Sequence, residues 1–149
     1  MKIQHALFAL ALTLIAGWSA SADPGAAEEI QSLIEKSYVN GAFNELNAEA
    51  LEGGFHPDFA IFSPDGEAIS KFPIGEWVER TAKRKEDPEF DPAKNVWTHR
   101  FASVDVTGHA ASVKIELSKD GKLVFTDYLS LLKFDSGWRV VAKVYFRHE

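Results

Sequence analysis

Apolar residues recur at Ile30, Leu33, Ile34 and Tyr38 with helical spacing, which predicts an amphipathic helix over Ala26–Tyr38. Glu28 and Glu29 in its first turn suit the helix dipole, and Asn40-Gly41 follows as a stop. A second short helix is predicted over Asn44–Glu52, with Leu46, Ala50 and Leu51 inward and Gly53-Gly54 ending it. Phe55-His56-Pro57-Asp58 reads as a turn. Short strands over Phe59–Ser63 and Ala68–Phe72 flank the turn residues Pro64-Asp65-Gly66. Pro73 opens a third helix, with Ile74, Trp77, Val78 and Thr81 or Ala82 on one face and Glu76, Glu79, Arg80 and Lys83 opposite. Lys85–Lys94 is polar, carries two prolines, and reads as an exposed loop.

Beyond this loop the period changes from 3.6 to 2. Asn95–Val106, Ala110–Ser118, Leu123–Phe134 and Trp138–Arg147 alternate or run apolar. Thr107-Gly108-His109, Lys119-Asp120-Gly121-Lys122 and Asp135-Ser136-Gly137 separate them, so they predict a four-strand antiparallel meander. The class is α+β: three N-terminal helices packed in a strongly curved, mainly antiparallel sheet, a cone with an apolar cavity. Leu123–Phe134 is apolar on both sides, with Phe125, Leu129 and Leu131 facing one way and Tyr128 and Leu132 the other. Helices would cover one side; a second copy of the chain would cover the other, as a homodimer through the sheet face.

The first residues change the working length. Lys2 precedes a 12-residue apolar run, Ala6–Gly17, and then Ala20-Ser21-Ala22. That is the pattern of a secretory signal, too short for a membrane span of about 20 residues. Cleavage after Ala22 would leave residues 23–149 as one domain, periplasmic or secreted and without a membrane anchor. Among 149 residues there is no cysteine, which removes disulfides, thiol catalysis and Cys-based metal sites. The five histidines show no metal-ligand spacing, so neither a metal nor another cofactor is expected. A net charge of −6, with no basic cluster longer than Lys83-Arg84-Lys85, argues against nucleic acid as a partner.

Tyr38-Val39-Asn40-Gly41, Phe55-His56-Pro57-Asp58 and above all Phe125-Thr126-Asp127-Tyr128-Leu129-Ser130-Leu131-Leu132-Lys133 with Gly137-Trp138-Arg139-Val140-Val141-Ala142-Lys143-Val144-Tyr145 carry a resemblance. Over about Ala27–His148 the chain resembles the nuclear transport factor 2-like, or SnoaL-like, superfamily, and within it the group named putative lumazine-binding proteins. The resemblance implies the cone-shaped fold, usually dimeric. It leaves function open, because the same cone serves isomerases, dehydratases, cyclases, small-ligand binders and association domains.

Asp127 is the most informative candidate for chemistry. Period-two counting places it on the side of Phe125, Leu129 and Leu131, where an unpaired carboxylate is costly. Lining the cone, it would have a raised pKa and act as general acid or base; isomerases of the resembling superfamily use an interior carboxylate in this way. Paired with Lys143 or Arg139 on the next strand, it would be structural. His56, in the Phe-His-Pro-Asp turn, is a candidate proton shuttle or a turn residue bonded to backbone. His99, between Trp97 and Phe101, is a candidate pocket base or a capped, half-buried histidine. Trp77, Trp97, Phe101, Tyr128, Lys143 and Tyr145 are candidate pocket walls, with core packing as the alternative. The leading expectation is an exported binder of a small, largely apolar molecule. The rivals are a cofactor-free isomerase or dehydratase using Asp127, and a non-catalytic association domain.

Overall fold

The computed structural model describes residues 24–149; the signal segment expected over residues 1–22 lies outside them. Helix α1, Pro24–Ile34, runs on without a break into a π-helical segment, Glu35–Asn44. Helix α2 is Ala48–Gly54, and α3 is Ile74–Lys85. Six strands, β1 (Phe55–Asp65), β2 (Ala68–Pro73), β3 (Trp97–Thr107), β4 (Ala110–Lys119), β5 (Lys122–Phe134) and β6 (Gly137–Arg147), form one sheet in the order β2-β1-β6-β5-β4-β3.

The meander β3–β6 is antiparallel throughout, as its alternation predicts. The pattern did not reveal that β1 joins β6 in parallel and so carries the β1–β2 hairpin onto the same sheet. Two parts of the expected fold need correction. The helices are not all N-terminal: α3 follows the hairpin, because Pro73 ends β2 and starts the next element. The sheet is also not strongly curled. Its irregularities are local, with Ala102, Val124 and Val141 left unpaired where the registers shift, and a bulged strand bends at such points.

Helices α1 and α3 cover one face of this sheet. Ile30, Ile34 and Tyr38 from the first helix, Ile74 and Trp77 from α3, and Val113, Ile115, Leu117, Leu129, Leu131 and Val140 from the strands share one buried core. Each such side chain contributes about 1.5–3 kcal/mol through its removal from water. The other face stays open, with Tyr128, Val144 and Phe146 48%, 50% and 62% exposed.

Three local expectations shift. The first helix continues past Tyr38 as the π segment, which buries the consecutive residues Ser37, Tyr38 and Val39, a face broader than one α stripe supplies. Gly41 lies within this segment because a side chain there would stand 3.0 Å from the Leu51 backbone nitrogen. Phe55–Asp58 is strand rather than turn. The β1–β6 pairing jumps from Phe55↔Val140 to Ala60↔Ala142, so Pro57, which has no N–H to donate, sits where no ladder bond is required. Gly53 and Gly54 belong to α2, which is capped instead by Asn47, whose side chain accepts from Ala50 N at 3.1 Å.

Candidate functional site

The most polar feature of the core lies where the π segment crosses β5 and β6. Tyr38 comes from the π segment, Asp127 from β5 and Lys143 from β6, and they are 0%, 0% and 5% exposed. The Tyr38 hydroxyl donates to Asp127 Oδ2 at 2.5 Å, and Lys143 Nζ donates to the Tyr38 oxygen at 2.5 Å. Lys143 Nζ also stands 3.1 Å from Asp127 Oδ1 as an ion pair. Oδ1 makes this ion contact but no hydrogen bond. One lone-pair site of a fully buried carboxylate is thus left open.

The sequence produces this meeting through a bulge. Trp138 and Val140 of β6 face the core, and strict alternation would then bring Ala142, Val144 and Phe146 inward. Val141 has no partner on β5, since Leu131 pairs with Val140 and Ser130 with Ala142. This extra residue turns Lys143 and Tyr145 to the core side and leaves Val144 and Phe146 in solvent. Asp127 is then directly opposite Tyr145, and Leu129 is opposite Lys143, so Asp127 and Lys143 are diagonal neighbours.

Aromatic rings wall the cluster. Lys143 Nζ lies 4.8 Å from the centre of the Tyr38 ring, 5.0 Å from that of Tyr145 and 5.5 Å from that of Trp77. These contacts partly replace the water that the ammonium has lost. Phe43, Phe55 and Trp77 pack on Tyr38, and Phe125 packs on both Trp97 and Tyr145. Tyr145 is 43% exposed.

Burial, then the negative charge of Asp127, raises the Tyr38 pKa well above its ordinary value, so the phenol stays protonated. Burial lowers the Lys143 pKa, against the pull of Asp127. The cluster therefore offers a neutral hydroxyl, an amine whose charge is held mainly by one carboxylate, and an open carboxylate lone pair.

Of the two arrangements open to Asp127, the geometry places it against Lys143. Arg139 instead donates to the Trp138 carbonyl oxygen. Trp77, Lys143 and Tyr145 meet at the cluster, and Trp97 joins through Phe125. His56 does not join: its Nδ1 accepts from Asp58 N at 3.1 Å and its ring stacks on Phe134. His99 pairs with Glu35 at 3.2 Å and stands edge-on to Phe101. Tyr128 stands on the open face beside Lys114, away from the core. Tyr38 is the member that pattern reading missed. The available clue was a hydroxyl on an otherwise apolar helix face, since a buried tyrosine oxygen needs a partner.

Surface clefts lie elsewhere. One of about 490 Å³ is lined by Leu33, Lys36, Asn47, Glu49 and Ala50, and one of about 440 Å³ by Glu52, Phe55, Ile74 and Glu79. Among the described residues, no group of three His, Asp or Glu side chains is placed to hold a metal. No described helix is long and apolar enough to cross a membrane.

Among curated proteins, none matches the chain. Among solved structures, it is similar to an NTF2-like protein of unknown function from Shewanella baltica, with 27% identity, 82% of this chain and 93% of that one covered, and a TM-score of 0.64. An NTF2-like protein of unknown function from Methylobacillus flagellatus is 26% identical, with 88% and 98% covered and a TM-score of 0.67. A protein from Novosphingobium aromaticivorans described as a putative aromatic ring hydroxylase shares the fold alone, at 16% identity, 86% and 92% coverage and a TM-score of 0.58. The family model described as "Putative lumazine-binding" matches residues 26–146, which span nearly all of the helices and the sheet and all three members of the buried cluster. The chain belongs to this putative lumazine-binding family, within the NTF2-like fold.

Proposed function

We propose that the protein binds a small molecule over the Tyr38–Asp127–Lys143 cluster, with the half-exposed Tyr145 ring beside it. One observation carries this reading: a buried ion pair, ringed by aromatic groups, keeps an unused acceptor on Asp127 Oδ1. A core that served association alone would lose little by replacing such a pair with apolar side chains, whereas polar groups converging among rings are what a ligand site needs. The family description points the same way. On this reading the pocket expected from the sequence would have apolar walls and a polar floor.

Trp77 and Trp97 lie within or beside the cluster and report on occupancy. Titration with a panel of flat aromatic and carbonyl-bearing metabolites is expected to give saturable quenching of tryptophan emission. Lys143→Met should weaken it about tenfold, the effect of losing about 1.4 kcal/mol of binding. Linear, non-saturating quenching by every compound, with the protein folded, overturns the reading.

Proton transfer is the second reading, and the same Oδ1, held by an ion contact but by no hydrogen bond, favours it, because a general base needs a lone pair to accept a proton. Its mark would be exchange of an α-proton of a bound ketone in D₂O that Asp127→Asn abolishes. We also propose export, from the pattern over residues 1–22, and a homodimer through the face that carries Tyr128, Val144 and Phe146. A recovered chain beginning at Asp23 and sedimenting at twice its mass is expected; a retained Met1 or a monomer at micromolar concentration would remove the respective point.

A further inference from the structure

Lys143 is the only buried lysine among the described residues; the others are exposed or half-buried. Its surroundings differ from those of a structural ion pair in three respects. Its nitrogen is shared between a carboxylate and a phenol rather than enclosed by several acceptors. Asp127 Oδ1, 3.1 Å from Nζ, has a free lone pair able to take a proton. Tyr145, whose ring centre lies 5.0 Å from Nζ, is itself half-exposed. Burial also favours the uncharged form of the amine, which is the nucleophilic one.

We infer that Lys143 captures an aldehyde or ketone covalently, as an imine on Nζ, with Asp127 and Tyr38 moving the protons. The inference rests on the small-molecule reading above and names the ligand's reactive group. In the first step Asp127 Oδ1 takes a proton from the Lys143 ammonium. The freed lone pair forms a C–N bond to the carbonyl carbon while the C=O π electrons move to oxygen. That oxygen takes the Tyr38 hydroxyl proton, which Tyr38 regains from Asp127, and nitrogen gives up its surplus proton to Asp127. In the second step the C–O bond breaks, oxygen leaves as water with the proton returned by the same relay, and the nitrogen lone pair closes the C=N bond. Carbonyl compound and amine thus become imine and water, with no oxidant or other reactant. The Trp77 and Tyr145 rings suit an aromatic or conjugated carbonyl compound, and with Asp127 they offset the charge of a protonated imine.

Treating the full protein at neutral pH with benzaldehyde and sodium cyanoborohydride reduces any imine to a stable benzyl amine. Peptide mapping is expected to find the benzyl group on Lys143 at least about tenfold sooner than on any exposed lysine, as an activated nucleophile requires. Asp127→Asn should slow labelling of Lys143 while exposed lysines such as Lys36 and Lys122 keep their rates. Lys143→Arg, which retains the charge, should remove the early label. Should either variant fail to fold, the ranking of sites in the unmodified chain decides alone. Labelling of exposed lysines only, or of Lys143 no faster than in the urea-unfolded chain, overturns the inference. Benzyl alcohol, which forms no imine, separates the two levels. Saturable quenching by the alcohol without labelling by the aldehyde leaves small-molecule binding standing and removes the imine. Neither quenching nor labelling counts against both for this ligand class.

Discussion

Replacing Lys143 by methionine is expected to lower the stability of the fold by about 3–5 kcal/mol, because the Asp127 charge would remain buried without its counter-ion. Both groups are almost wholly removed from solvent, so water screens little of the loss. Urea unfolding followed by circular dichroism measures it. The triple replacement Lys143→Met, Asp127→Leu, Tyr38→Phe should recover most of that loss, since it removes all the interdependent polar groups together. A loss below about 1 kcal/mol for Lys143→Met would show that the ion pair does not hold the core. The pH dependence gives a second readout. The folded Lys143 pKa is lowered, so the unfolded chain, near 10.5, binds that proton more tightly. Stability of the unaltered protein therefore rises with pH from the lowered folded value up to about 10.5, and Lys143→Met lacks the rise. Tyr38 acts in the opposite sense. Its contribution is complete below its ordinary value of 10.0 and is lost as pH climbs from there toward its raised folded value.

The second large effect separates two adjacent glycines. A Cβ on Gly54 would stand 2.0 Å from Ser37 Oγ and 2.3 Å from Ser37 Cβ, across the contact between α2 and the π segment. Gly54→Ala must push these helices apart and should cost about 3 kcal/mol or more, at the upper end for an overpacked core. Ser37→Gly in the same chain is expected to restore part of it, whereas Ser37→Ala would keep the clashing Cβ. Gly53, one residue earlier, faces open space and is helical without positive φ. Gly53→Ala should stabilise by about 0.5–1 kcal/mol through helix propensity. Thermal unfolding of both variants measures the contrast. Equal shifts of the same sign would mean that the close helix contact is not what selects glycine at position 54.

This pair also shows where pattern reading stops. Gly53-Gly54 looks like a helix stop, because local preference records only that glycine is a poor helix former. That Gly54 is required by a serine seventeen positions earlier is a packing fact, absent from any short window. The Phe55–Asp58 stretch differs for a similar reason: proline suggests a turn unless the neighbouring strand leaves a gap in its ladder. The meander was legible because alternation and Asp-Gly or Ser-Gly turns are local. That Asp127 needs a partner was legible too, with Lys143 and Arg139 both open as candidates, since a carboxylate among Phe125, Leu129 and Leu131 must find one. Tyr38 was hidden by its own amphipathic nature: in a sequence it counts as one more apolar residue of the helix.

The unpaired Val141 links two features that otherwise look independent. A strand without it would present Val144 and Phe146 to the core and Lys143 and Tyr145 to water. One additional residue therefore both creates the charged centre and sends two large apolar side chains outward. The polar interior and the oily exterior are two sides of a single event, so relatives that acquired or discarded it would have gained or lost both together. A family member with an apolar residue at the place of Lys143 should, by this logic, also carry a more hydrophilic outer strand.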